Sequence, residues 1–177
     1  MINKFVFNIS SRMKRKYPTE LPELDILEYS LKFIITNVLP IIVIILYGVV
    51  SENLVNVLIS LGSFSLLRMF SGGYHIKIPE LCILTSAALI ISISEIGQKL
   101  TEHTMIMGIV SLLMVMVYAP SNIRMQTLIP EKYDILLKLA SCGIIIINIY
   151  INDAIAITAV FAQSLLLIRP LKGGEKE

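Results

Sequence analysis

Charged side chains, and the residues that usually carry chemistry, are scarce in this chain. Of its 177 residues, 16% are charged, two are histidine, two are cysteine and none is tryptophan. In a typical soluble domain about a quarter of the residues are charged, which covers the surface with polar groups. The low charge therefore argues against a water-soluble fold.

Several functional classes also lack their sequence signatures. The chain has no HExxH, no CxxC and no close cluster of histidine, aspartate and glutamate, so we expect no bound metal. It has neither a Gly-x-Ser-x-Gly elbow nor a phosphate-binding loop, and we expect no cofactor. A structural disulfide is not expected either, because Cys142 falls in the middle of an apolar segment and the cytoplasm is reducing.

Long apolar runs are what the chain has instead. Apolar residues make up 55% of it, and its mean hydropathy is +0.79. Stretches such as 41–46 and 144–147 are apolar on every side of a helix, unlike an amphipathic soluble helix. We predict an all-α, polytopic integral membrane protein with about six spanning helices, roughly at 33–50, 53–68, 81–97, 104–120, 136–151 and 153–169.

The distribution of basic residues predicts the orientation of these helices. With six spans, 14 of the 15 Lys and Arg residues lie on the side of the N terminus, and only Lys99 lies on the other side. Basic residues are retained on the cytoplasmic side, so both termini are expected in the cytoplasm, in a chain spanning the cell membrane. This pattern also accounts for the basic residues without nucleic acid, which we do not expect as a partner.

The N-terminal 32 residues are predicted to form cytoplasmic interfacial helices. Ile2, Phe5, Val6, Ile9 and Met13 share one helical face, as in a helix lying on the inner leaflet. The alternative is a frayed, solvated basic tail. A signal peptide is not indicated, because the basic cluster follows the first apolar residues and no small-residue cleavage site comes after it.

The chain is expected to be a single unit, without a separate soluble domain. A second helix is predicted from about Glu23, and it is expected to run directly into the first span. The transmembrane bundle then covers 33–169, and a cytoplasmic tail follows at 170–177.

The segment 68–82 carries the most specific chemistry in the sequence. It places His75 and Cys82 seven positions apart, with a glycine pair before the histidine and Pro79 between the two residues. A thiol and an imidazole are the minimum equipment for thiolate acyl transfer, in which the imidazole accepts the thiol proton and later protonates the leaving amine. This pairing makes His75 and Cys82 candidate catalytic residues.

The surroundings of Cys82 favour a reactive thiolate. Pro79 suits the first turn of the third span, which places Cys82 in or just after that turn. The positive end of the helix dipole, together with Lys77 and Arg68, would favour thiolate over thiol. In one continuous helix His75 and Cys82 would be separated by ~10.5 Å of rise, so the chain must bend between them.

Supporting roles can be assigned to neighbouring residues. Gly72 and Gly73 could bring backbone N–H groups close to a developing oxyanion, and Ser86, one turn after Cys82, is a second candidate donor. Glu80 is the nearest carboxylate that could orient the histidine, and Ser71 is a weaker option. The site could also work as a dyad.

Non-catalytic interpretations of the same residues stand beside this one. A cysteine in an apolar helix is often a small packing residue, and a histidine in a loop is often merely solvated. For Cys142 and His103 we expect these ordinary roles. At the level of function, the alternatives are a small non-catalytic membrane transporter or channel component and a hydrolytic intramembrane protease that does not cyclise its product.

The segment 68–82 resembles the signature of the AgrB family, the membrane cysteine endopeptidases of Gram-positive quorum sensing. That signature is Arg-x-x-x-Gly-Gly-x-His followed by cysteine seven residues later, and the chain matches it with its spacing intact. A second similarity is Tyr118-Ala119-Pro120, followed by a polar loop to Pro130. One difference is that this loop carries few basic residues, which bears on propeptide docking rather than on the chemistry.

The resemblance implies a processing enzyme for an AgrD-like signal propeptide bound at the bilayer. Cys82, activated by His75, would attack the carbonyl before an acidic C-terminal tail and form a thioester acyl-enzyme. An internal cysteine or serine of the propeptide would then release an autoinducing (thio)lactone. Basic residues that could dock the tail are Lys77, Arg124 and Lys132, and small residues in the spans make a homodimer possible.

Overall fold

A computed structural model describes residues 2–73, 79–121 and 130–168 of the chain. His75, Lys77, Arg124 and the C-terminal tail lie outside the described residues, as do the side chains of Glu80 and Cys82. The described residues form seven α-helices: α1 Ile2–Lys16, α2 Leu24–Val50, α3 Leu54–Ser71, α4 Pro79–Ile96, α5 Thr104–Tyr118, α6 Asp134–Ile151 and α7 Ala154–Leu165.

The helices α2 to α7 alternate in direction, and side-chain hydrogen bonds fix which ends meet. The amide of Asn53, before α3, donates to the Ser94 carbonyl at 3.2 Å and to Glu95 Oε1 at 3.0 Å, near the end of α4. The hydroxyl of Thr104, which begins α5, lies 3.1 Å from the Asn152 side-chain oxygen after α6. The ends of α2, α4 and α6 therefore lie together with the starts of α3, α5 and α7.

The other end of the bundle, called the motif end below, holds the last residues of α3, α5 and α7. Its cohesion comes from an apolar cluster that joins Leu67 of α3, Val115 and Ala119 near the end of α5, and Val160 and Leu167 of the last helix and its continuation. The starts of α2, α4 and α6 lie at this same end. The segment 68–82 is thus held at one end of the bundle.

The predicted all-helical class is confirmed, and each of the six predicted spans falls on a helix. Within the described residues, four helical stretches are long and apolar enough to cross a membrane: Leu24–Val50, Leu54–Ser71, Ile83–Tyr118 and Asp134–Ile151. The stretch Ile83–Tyr118 contains both α4 and α5, which are joined by a 3₁₀ segment at Gly97–His103. The last helix, α7, is apolar but only 12 residues long.

The distribution of side chains is that of a membrane protein. Large apolar residues face outward, including Ile135 of α6 at 73% exposed and Tyr150 at 90% exposed. Buried positions include the small polar residues Ser60, Ser111 and Ser141. Their hydroxyls donate to helix carbonyls, Ser60 to Ile90 of the neighbouring helix at 3.0 Å, and their small size lets helices pack closely.

The N-terminal region forms the two helices that the sequence predicts. The helix predicted from about Glu23 runs without interruption into the first span as α2, which is confirmed. Of the residues predicted to share an apolar face, Val6 is buried and Phe5 is 58% exposed, and Ser10 is buried as well. Ser10 can be buried because its hydroxyl donates to the Phe7 carbonyl at 3.1 Å.

Gly97 packs against the start of α7 so closely that a side chain there would disturb the fold. A Cβ at Gly97 would lie 3.1 Å from Ile155 Cα, a backbone atom that cannot rotate away. We expect Gly97→Ala to destabilise the protein by about 1–3 kcal/mol and to lower its thermal midpoint in detergent by several degrees. Gly143→Ala is the matched control, since nothing lies within 4 Å of a Cβ there, and an equal loss in both variants would contradict the prediction.

Candidate active site

The glycine pair of the motif terminates α3 in backbone conformations that favour glycine. Gly72 caps the helix with φ 73° and ψ −144°, and its N–H donates to the Arg68 carbonyl at 2.9 Å. Gly73 has φ 147°. Side chains are disfavoured in both conformations, so the two glycines set the direction in which the chain leaves α3 towards His75.

The segment after α5 pairs directly with this turn. Gly73 N–H donates to the Ser121 carbonyl at 3.0 Å, and Ser121 N–H donates to the Ser71 carbonyl at 2.9 Å, which makes an isolated parallel bridge. Ser121 follows Pro120, which is preceded by a cis peptide bond. The fold thus brings the described part of the first stretch that suggested the family, 68–73, next to the end of the second, 118–120.

Gln163 of α7 joins the same turn from a third direction. Its side-chain Nε2 donates to the Gly72 carbonyl at 2.7 Å, and its Oε1 accepts from Arg68 Nη1 at 3.3 Å. Sequence reasoning did not identify this residue. The available signal was an amide in an otherwise mostly apolar span, where polar side chains commonly form interhelical contacts.

Two of the predicted supporting residues, Arg68 and Ser71, make contacts within the fold. The Arg68 guanidinium lies 5.8 Å from the centroid of the Phe64 ring, in addition to its contact with Gln163. The hydroxyl of Ser71 is buried and donates to the Leu67 carbonyl at 2.8 Å. This hydroxyl proton is therefore directed into α3.

The N–H groups of Gly72 and Gly73, which are predicted as candidate oxyanion donors, have defined acceptors in this structure. Both N–H groups already donate to protein carbonyls, those of Arg68 and Ser121. A backbone N–H carries one proton and is not free for an oxyanion while that bond persists. The arrangement instead makes the glycine pair a rigid connection between α3 and the segment that contains His75.

The helix α4 begins as the sequence predicts. Pro79 is its first residue, Cys82 its fourth, and Ser86 lies one turn further along. The N–H groups in the first turn of a helix lack intrahelical partners and carry the positive end of its dipole. Cys82 thus belongs to the turn where a negative charge is stabilised best.

The family model for accessory gene regulator B matches residues 3–168, nearly the whole chain. The chain belongs to the AgrB family. It is therefore a membrane protein of agr-type quorum sensing, which acts in processing an AgrD-like propeptide. No curated protein and no solved structure matches it.

Other residues singled out in this AgrB-family chain belong to other elements of the fold. Lys132 is exposed in the 3₁₀ segment Glu131–Tyr133, with its ammonium 5.0 Å from the Tyr133 ring centroid. Cys142 is a free, half-buried cysteine packed against the cluster at the motif end, and His103 is exposed at the opposite end. The ordinary roles predicted for Cys142 and His103 agree with these positions.

Proposed function

We propose that this protein is a membrane-embedded cysteine endopeptidase and peptide cyclase. It removes the C-terminal tail of an AgrD-like propeptide through a thioester on Cys82 and promotes (thio)lactone formation. The observation that carries the proposal is the intact family signature, which runs from the end of α3 through the glycine turn to the first turn of α4. Family membership favours propeptide processing over the transporter alternative.

The position of Cys82 supports its role as the nucleophile. Thiolate, not thiol, attacks carbonyl carbon, and the first turn of a helix favours thiolate. Pro79 begins α4 without losing a helical hydrogen bond, because the first N–H groups of a helix have no intrahelical acceptor. The chemistry proposed for Cys82 is therefore nucleophilic attack on a carbonyl carbon.

His75 is proposed as the general base and acid. Six residue steps separate Gly73 from Pro79, which limits the distance between the glycine turn and the start of α4 to at most about 22 Å. The Ser121 carbonyl accepts from Gly73 N–H, and Gln163 donates to the carbonyl of the preceding residue, Gly72, so the start of this segment is held in place. A fixed departure point favours a reproducible approach of His75 to Cys82, which proximity catalysis requires.

The proposed reaction proceeds in two acyl transfers. His75 takes the Cys82 proton, and the thiolate attacks the carbonyl carbon of the residue before the tail. The carbon–nitrogen bond breaks as the tail amine receives the proton, which leaves a thioester. An internal thiol or hydroxyl of the propeptide, deprotonated by His75, then attacks the thioester, and Cys82 leaves as thiolate and recovers the proton.

In this mechanism, groups other than the Gly72 and Gly73 amides stabilise the charge that develops during attack. Arg68 is a half-buried cation beside the glycine turn, and N–H groups in the first turn of α4 supply the helix dipole. Ser86 is a further candidate donor, and Glu80 is the candidate partner for His75. Each of these groups could stabilise charge that develops only during attack, which is what lowers a barrier.

We further propose six membrane spans with the motif end in the cytoplasm. The alternation of α2 to α7 supports six, although α7 has only 12 residues. Four acidic residues lie near the opposite end, Glu52, Glu95, Glu102 and Asp153, with Lys99 as the basic residue. Basic residues elsewhere, including Lys77, Arg124 and Lys132, would then face the cytoplasm, where they could dock an acidic tail. A homodimer remains a prediction.

The acyl-enzyme can be tested directly by reconstitution. Protein in liposomes is mixed with an AgrD-like propeptide and analysed by intact mass spectrometry. We expect wild type to gain the mass of the propeptide without its tail and to release the tail, whereas Cys82→Ala should do neither. Appearance of a cyclic product then separates a cyclase from a plain protease.

Cys142→Ala is the matched control for this experiment, because it removes the other cysteine from a packing position. It should retain both the adduct and tail release. Tail release at the wild-type rate by Cys82→Ala would show that this cysteine is structural. Absence of processing by wild type with every propeptide tried would overturn the proposed function and favour a transporter.

A further inference from the structure

Gln163 is unusual among the polar residues of α7. It is completely buried, with 0% of its side chain exposed. The hydroxyls of Thr158 and Ser164 donate to carbonyls of their own helix, those of Ala154 at 2.7 Å and Phe161 at 2.8 Å, and Ser164 also has a weak contact with Met114 Sδ of α5 at 3.9 Å. The Gln163 amide instead reaches the turn that ends α3. Its two hydrogen bonds therefore join elements that are far apart in sequence.

The chemistry of its two partners fixes the orientation of this amide. The Gly72 carbonyl can only accept a hydrogen bond, and it takes one from Nε2 at 2.7 Å. The Arg68 guanidinium can only donate, and it gives one to Oε1 at 3.3 Å. Neither glutamate nor an apolar residue can make both bonds, so glutamine matches the site at both ends.

The amide also packs against Gly73. A Cβ built on Gly73 would lie 3.1 Å from Gln163 Nε2 and 3.9 Å from Arg68 Nη1. The backbone of the turn thus packs closely against these two side chains. On the other side, Gly73 N–H is held by the Ser121 carbonyl at 3.0 Å.

We propose that Gln163 is a positioning residue for the acyl-transfer site. It holds the Gly72 carbonyl and the Arg68 side chain in a fixed relation, and so fixes the point from which the chain leaves towards His75. The inference rests on the proposed function, because it assigns Gln163 to the same site. In this role Gln163 acts through the glycine turn and Arg68 rather than on the reacting atoms.

Two substitutions separate the two hydrogen bonds. Gln163→Glu keeps the shape and the acceptor for Arg68 but removes the donor to the Gly72 carbonyl. Gln163→Met keeps an unbranched side chain of similar length and removes both bonds. Ser164→Ala is the matched control, since Ser164 is equally buried in the same helix and bonds to the carbonyl of Phe161 in that helix.

Kinetics in liposomes test the positioning role. For Gln163→Glu and Gln163→Met we expect kcat for propeptide cleavage to fall by about 10- to 100-fold, with KM changed little. Ser164→Ala should stay within about twofold of wild type. A purely structural role would lower the fraction of active protein and the thermal midpoint together, so the midpoint is measured for every variant.

Hydrogen exchange gives a second readout that does not depend on activity. Loss of the Gln163 bond should speed exchange at the Gly73 amide in both Gln163 variants and leave it unchanged in Ser164→Ala. A wild-type kcat in Gln163→Met would overturn the positioning role while leaving the proposed function intact. If wild type itself processes no propeptide, the proposed function fails. Independently of activity, unchanged exchange at the Gly73 amide in the Gln163 variants would show that Gln163 does not stabilise the turn.

Discussion

Gly73→Ala should slow propeptide cleavage by about 5- to 150-fold, the equivalent of about 1–3 kcal/mol of backbone strain. Gly73 has φ 147°, which side chains rarely tolerate. The new methyl group would also lie 3.1 Å from Gln163 Nε2, whose position is fixed by its bond to the Gly72 carbonyl. The strain and the steric contact can be relieved only if the turn moves, and the segment leading to His75 would move with it.

The measurement is the single-turnover rate of tail release in liposomes, normalised to folded protein. Gly62→Ala is the control, because Gly62 lies in α3, the helix that precedes this turn, and a Cβ there meets nothing within 4 Å. It should cleave at the wild-type rate. Wild-type cleavage by correctly folded Gly73→Ala would mean that the conformation of this turn does not control the site.

Local sequence signals were sufficient for the helices and for the start of α4. The apolar runs predicted each helix because a bilayer requires sustained hydrophobicity, and Pro79 marked a helix start because its ring suits that position. The end of α7 was predicted less well. It lies at Leu165 rather than near 169, since the next N–H groups bond three residues back, as Leu166 does to Gln163.

Contacts between distant segments could not be predicted from local patterns. The glycine pair was expected to offer free N–H groups, but the fold places the Ser121 carbonyl against Gly73. The importance of Gln163 likewise depends on which face of α7 meets the end of α3. One sequence does not reveal that rotation, because α7 is apolar over most of its surface.

These contacts give the spacing of the motif a physical basis within this chain. Arg68 and Gly72 are four residues apart, so one helical turn brings the arginine side chain and the glycine carbonyl to the same glutamine. Gly73 then carries the chain away from α3, and Pro79 begins α4 three residues before Cys82. The spacing of the motif therefore covers the end of α3, the start of α4 and the short connection between them in the sequence.

His75→Ala should lower the rate of thioester formation at neutral pH by about 10²- to 10⁴-fold, the usual contribution of a general acid–base group. The rate should partly recover as pH rises, because hydroxide generates thiolate without the histidine. Recovery should be incomplete, since the tail amine still lacks its proton donor. The measurement is the rate at which the propeptide adduct on Cys82 forms, followed by mass spectrometry across a pH series.

His103→Ala is the control that separates this effect from general loss of histidine. His103 is exposed at the opposite end of the bundle, so its replacement should leave both the rate and the pH profile unchanged. A His75→Ala rate equal to wild type at neutral pH would remove histidine from the mechanism. Cys82 would then have to be activated by the start of α4 and Arg68 alone, and the pH profiles of wild type and His75→Ala would coincide.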